Sequence, residues 1–251
     1  MARRASWSIC IAVLGAYLLG AANRGLGDPL AVPSMAGKIV APDLVAAAKQ
    51  YINDLDQETA DEKAFADNVD KIKRDSNTLI IVALVLSKHD GEHELANAAA
   101  MIPPAQALAK AKDLTDAKKS VALLRDVLAG NPPGANAPNW EKVASLGRVM
   151  EQVAGLNTKL RNSIRRLDPR KTDENARAAT VMAAVGQAIV FDTHEVKDEK
   201  LLPQWYTMSD EMRDACSELA AAIRSGDKTA AASASTRVQK SCDACHEVFG
   251  D

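Results

Sequence analysis

Ser241-Cys242-Asp243-Ala244-Cys245-His246-Glu247-Val248-Phe249 lies close to the last printed residue, Asp251, at the end of a long run of helix-forming sequence. Cys242, Cys245 and His246 make C-x-x-C-H, the pattern through which a c-type haem is attached. Two thiols add across the two vinyl groups of the porphyrin, and the adjacent histidine reaches the iron from one face. The reading therefore starts from a cofactor and works outward to the helices that would have to enclose it.

Three other chemistries use paired cysteines. A thioredoxin-like redox pair needs a strand–helix context, and almost no strand-like runs occur. A structural zinc site needs about four ligands. The chain has 4 Cys; Cys10 falls in the N-terminal apolar stretch and Cys216 stands alone, so a second ligand pair is missing. A disulfide closing so short a loop is strained and gains little stability. Haem attachment is the reading with the fewest unmet requirements.

Upstream of the motif, four amphipathic segments follow one another. Trp140 to Arg166 carries Val143, Leu146, Met150, Val153, Leu160 and Ile164 in a heptad-like stripe, interrupted by Asn157. Asp168-Pro169 breaks it. The second runs from Thr172 to about Phe191. The third starts near Pro203, where proline is tolerated in a first turn, and its stripe is Trp205, Met208, Met212, Cys216, Leu219 and Ile223. Gly226 ends it, and Asp227 to about Phe249 is the fourth. Four helices with short connections predict an antiparallel bundle. The fold class expected is all-α: a C-terminal four-helix bundle with covalent haem, preceded by a helical, haemless N-terminal domain.

That preceding part, 42–130, also reads as helical, with segments over Asp43–Leu55, Glu58–Leu86, His93–Ala111 and Thr115–Ala129. A breaker, Gly130-Asn131-Pro132-Pro133-Gly134-Ala135-Asn136-Ala137-Pro138, follows; 131–139 is read as a linker and 140–251 as the bundle domain. At an offset of 81 residues, Phe65, Val69, Ile72, Leu79 and Leu86 fall on Leu146, Met150, Val153, Leu160 and Leu167. Met101, Gln106, Ala107 and Leu108 fall on Met182, Gln187, Ala188 and Ile189. A degenerate haemless repeat and a shared heptad period both explain this.

Residues 1–27 read as a secretory signal: Arg3 and Arg4, an apolar stretch from Ser8 to Leu19, then small residues. The stretch is short for a membrane span, so no stable span is expected once it is removed, and residues 28–41 form a lead-in. Export to the periplasm agrees with covalent haem. A net charge of −2 leaves no nucleic-acid footprint, and aromatics at 4% with abundant Ala and Leu suit helix packing better than a β-sandwich.

Residues 140–251 resemble the cytochrome c′ family, the class II c-type cytochromes, which are four-helix bundles with haem near the C-terminal end of the last helix. Trp205 opening the third helix, Gly226-Asp227 before the fourth, and Ser241 to Phe249 with an aromatic three residues after His246 carry the likeness. The resemblance implies one covalent haem c, an electron-transfer role with redox-partner proteins, and His246 as proximal iron ligand. It further implies that the first bundle helix supplies the opposite face. Aligning the heptads puts Met150 there, as in the low-spin, cytochrome c-556-like members. His/Met ligation raises the reduction potential; the competing role for Met150 is core filler. An apolar residue in that position instead gives five-coordinate iron that binds nitric oxide or carbon monoxide, and a haem-containing scaffold or sensor is a third reading. Family members often dimerise through their first helices, an expectation with which the extra N-terminal half competes. Two departures stand out: Gly250 and Leu146 occupy positions that are often basic in the family.

His89 and His93 are four apart, a spacing that can clip a metal, but Asp90-Gly91 between them favours a loop. His194 after the second helix is an alternative sixth ligand or, more simply, a surface-loop residue. Cys216 reads as a buried thiol. No Ser-His-Asp set, phosphate loop or paired-acid constellation stands out, so enzymatic activity is not expected.

Overall fold

The computed structural model describes residues 34–250 apart from 132, 133, 135–137 and 167. The segment read as a secretory signal, residues 28–33 of the lead-in and the centre of the Pro/Gly breaker lie outside the described residues. Among the described residues there are eight α-helices and no strand: α1 (Ala41–Glu58), α2 (Glu62–Ser87), α3 (Ile102–Ala109), α4 (Leu114–Leu128), α5 (Leu146–Ile164), α6 (Thr172–Ile189), α7 (Leu202–Ser225) and α8 (Lys228–Phe249). None of these helices is long and apolar enough to cross a membrane.

Local chemistry sets most of the boundaries. Asp61 separates α1 from α2: its carboxylate accepts from the Ala64 N–H at 2.8 Å and satisfies a first-turn donor. Asp113 does the same for α4 and Asp227 for α8, each at 2.9 Å. Gly226 ends α7 at φ +70°, a left-handed conformation that favours glycine, and the Asp227 N–H returns to the Ala222 carbonyl. Gly226-Asp227 thus stops one helix, starts the next and turns the chain back on itself.

Two segments read as helical from their pattern are not. Residues 93–97 are irregular and Ala98–Met101 is a 3₁₀ turn, because helix formation waits for Pro103 and Pro104 in the first turn of α3. Trp140 to Ser145 is also non-helical. There the backbone is captured by side chains: Gln106 donates to the Val143 carbonyl at 2.8 Å, and the Ser145 N–H donates to Asn77 Oδ1 at 2.7 Å. At the 81-residue offset α2 overlies α5, whereas the irregular 91–101 stretch corresponds to residues inside α6.

Residues 34–251 cluster as one compact unit. Its centre is α6, where Asn175, Ala176 and every residue from Ala178 to Ile189 are buried, as expected for a helix apolar on all sides. α6 packs on α7, α5, α1 and α2. α2 is amphipathic at its start, but Asp75 to Leu86 are all buried. Burial of each of its large aliphatic side chains contributes about 1.5–3 kcal/mol. One hydrophobic core therefore contains residues from both sides of the Pro/Gly breaker.

Polar groups tie the two halves as well. The buried Asp43 on α1 accepts from the Thr180 hydroxyl of α6 at 2.7 Å and pairs with Arg224 of α7. Lys38 pairs with Asp214 at 2.7 Å. Arg213, 4% exposed, bonds Asp210 at 2.7 Å, Asp214 at 2.8 Å and Gln187 Oε1 at 3.2 Å. Burial alone would push the Asp214 carboxyl up, but Arg213 and Lys38 outweigh it and hold it below the usual carboxylate range.

Candidate functional site

α5, α6, α7 and α8 follow one another through short connections, with α6 against α5 and α7, and α8 against α7 and α5. This order brings the start of α5, the end of α6, the start of α7 and the end of α8 to one end of the molecule. At that end Trp205 Nε1–H donates to the Ile189 carbonyl at 2.8 Å, fixing α7 to α6. Phe249 meets Trp205 edge-on at 5.0 Å, fixing the last turn of α8 to the first of α7. Leu146 and Val149 of α5 share a small cavity with Ala188 and Ile189 of α6. Trp140 stacks on Phe191 at 4.9 Å beside it.

Cys242, Cys245 and His246 lie on the last turns of α8 at this end. Both cysteines are free thiols, half-buried, and His246 is exposed. Burial, with Asp243 and Cys245 nearby, pushes the Cys242 thiol up, and burial pushes Cys245 up as well. Cys242 and His246 are four residues apart and share a helix face. The face continues inward to Val238, which is fully buried. Among the described residues the His246 ring has no hydrogen-bond partner. Cys216 is wholly buried on α7, and burial pushes its thiol up strongly.

The register between α5 and α8 bears on Met150. Asn157 Nδ2 donates to Gln239 Oε1 at 3.1 Å, and Arg161 reaches the same oxygen at 3.2 Å. From that contact Met150 lies about two turns back along α5, and His246 about two turns forward along α8. In antiparallel helices those displacements run the same way, so Met150 and His246 share a level. Met150 is half-buried, with Val149 and Val153 beside it taking the buried positions of α5. The sequence stripe had only interrupted itself at Asn157; the structure makes that residue the α5–α8 connector. Its buried polar side chain in an apolar stripe was the available signal.

The other histidines are committed elsewhere. His89 Nε2 donates to the Ile39 carbonyl at 2.8 Å, and its Nδ1 accepts from the Gly91 N–H at 2.9 Å. His93 Nε2 donates to the Leu86 carbonyl at 2.9 Å. These rings tether the segment before α1 to the end of α2, so the four-residue spacing serves backbone carbonyls. His194 is held between two carboxylates, Asp192 on Nδ1 and Glu195 at 2.8 Å on Nε2. Neither of its ring nitrogens is free to meet an iron.

The donor chemistry at the end of α8 fits a covalent haem: two uncrosslinked, partly accessible thiols, one turn of helix and an unengaged imidazole. No protein-family model matches the chain, and no curated protein or solved structure is significantly similar to it.

Proposed function

We propose that this protein is an exported, mono-haem c-type cytochrome of the periplasm that transfers electrons, built on a cytochrome c′-like antiparallel four-helix bundle of α5 to α8. The observation that carries the reading is C-x-x-C-H on the last turns of α8, with both thiols uncrosslinked and His246 exposed. Haem c, when bound, supplies a one-electron iron couple.

The chain's own residues do the rest. Cys242 and Cys245 would hold the haem through two thioethers, each made by adding S–H across one vinyl double bond with no external oxidant. Burial, which raises both thiols, favours their protonated form. His246 presents a ring nitrogen one turn beyond Cys242. Met150 would be the second protein ligand to the iron, a reading supported by its level with His246 across α5 and α8. Trp205 and Phe249 lock together the helix ends that would hold the haem. Redox-partner proteins exchange electrons at this same end, and the protein has no enzymatic activity of its own.

The distal assignment is testable by spectroscopy. Met150→Ala should convert a low-spin spectrum of the purified protein into a high-spin one that shifts on adding carbon monoxide. A low-spin spectrum unchanged by Met150→Ala would remove Met150 from the iron and leave the attachment reading intact.

A further inference from the structure

A second site lies away from the haem end, where α1 and α2 meet α5 and α6. A cleft of about 180 Å³ opens there, with Tyr51, Asp54, Arg74 and Asp75 on the side of α1 and α2, and Gln152 and Arg177 on the side of α5 and α6. It is built rather than incidental. Asp75 is 3% exposed, yet its Oδ1 has no hydrogen-bond partner; neither has the buried Nε of Arg74, which stands 3.5 Å from that oxygen, beyond a good hydrogen bond. The two face each other as an ion pair too long for a good hydrogen bond, so each keeps an unused hydrogen-bonding site where water is scarce. A molecule that donates to Asp75 and accepts from Arg74 supplies the hydrogen bonds that the pair does not make for itself.

The remaining groups narrow its chemistry. Tyr51 accepts from Gln152 Nε2 at 2.9 Å, so its own O–H points to no acceptor among the described residues. Burial, opposed by that Gln152 bond and reinforced by Asp75, pushes the phenol up and keeps it a donor. Lys71 is taken by Asp75 and Glu58, and Lys159 by Glu174. Asp54 has no ionic partner among the described residues, and Arg177 bonds only Gln50, at 3.0 Å. The cleft therefore offers free positive and free negative ends together. Its cations Lys71, Arg74, Lys159 and Arg177 are nearly balanced by Asp54, Asp75 and Glu174, with Glu58 behind Lys71. Such balance disfavours an ion of either sign. Ala47, Leu156, Ala178 and Val181 supply an apolar wall.

We propose that this cleft binds a small zwitterion of the amino-acid type, its ammonium on Asp54 and Asp75, its carboxylate on Arg74 and Arg177, and a short aliphatic side chain on the apolar wall. The ligand would touch helices from both sides of the Pro/Gly breaker.

Isothermal titration of the full-length protein tests it with three probes: L-valine, isovalerate, which lacks the ammonium, and isobutylamine, which lacks the carboxylate. Valine should bind saturably at one site, at least about tenfold more tightly than either half-molecule. Asp54→Asn and Arg177→Gln should each weaken valine at least about tenfold. Neither side chain makes a salt bridge among the described residues, and circular dichroism verifies that both variants stay folded. No saturable valine binding, isovalerate or isobutylamine binding as well as valine, or valine binding untouched by both substitutions would each overturn the proposal.

Discussion

Gly186→Ala should destabilise the protein by about 2 kcal/mol, although alanine is the better helix former by about 1 kcal/mol. A Cβ at Gly186 would stand 2.6 Å from the Arg213 nitrogen and 2.9 Å from its Cα. Those are backbone atoms, so no rotamer change relieves the contact and α6 and α7 must move apart. Overpacking of this kind costs about 1–3 kcal/mol. Here it also pulls on Arg213, whose buried guanidinium holds Gln187, Asp210 and Asp214 together. For a chain of this size each kcal/mol lowers Tm by about 2–4 °C. Gly155→Ala is the internal control. It lies on exposed α5 surface with open space around its would-be Cβ, and should gain up to about 1 kcal/mol. Calorimetry on the two variants reads opposite signs if α6 and α7 touch as described. Equal stabilisation by both would mean that they do not.

Cys242→Ala/Cys245→Ala should abolish covalent haem. In the proposed attachment each thiol would form one thioether, so either single variant should retain haem through one bond, and the double variant should release all of it on denaturation and acid–organic extraction. The fold itself should survive, since both side chains are only half-buried and the core of α8 rests on Ala231, Ala234 and Val238. Mass spectrometry of the denatured chain gives the answer directly. Haem still covalently bound to the double variant would reject the role of both cysteines.

Much of the helical framework is legible in the sequence because it is set by local chemistry. Asp227 after Gly226 marks the α7–α8 turn by itself, whereas α6, read as amphipathic, is buried on all sides. Pattern alone misplaces 93–101 and Trp140–Ser145, where apolar spacing suits a helix. Pro103-Pro104 is a local breaker just beyond the first of these, whereas Gln106 and Asn77 capture the backbone at Val143 and Ser145. Those captures join residues far apart in sequence, and no window of neighbouring residues contains them. The same holds for Asp43 with Thr180 and Arg224, and for the Arg74–Asp75 cleft. The candidate haem ligands divide likewise. Cys242, Cys245 and His246 are a contiguous motif, readable in one glance. Met150 depends on the α5–α8 register, which Asn157 and Gln239 set across a long sequence separation.

The most direct measurement is the visible spectrum of the full-length protein, exported in a host that attaches c-type haem, reduced and then denatured in alkaline pyridine. The proposed function predicts one haem per chain that stays with the polypeptide after denaturation, with a low-spin ferrous spectrum in the native protein that carbon monoxide leaves unchanged. A chain that emerges from such a host without covalent haem would contradict it.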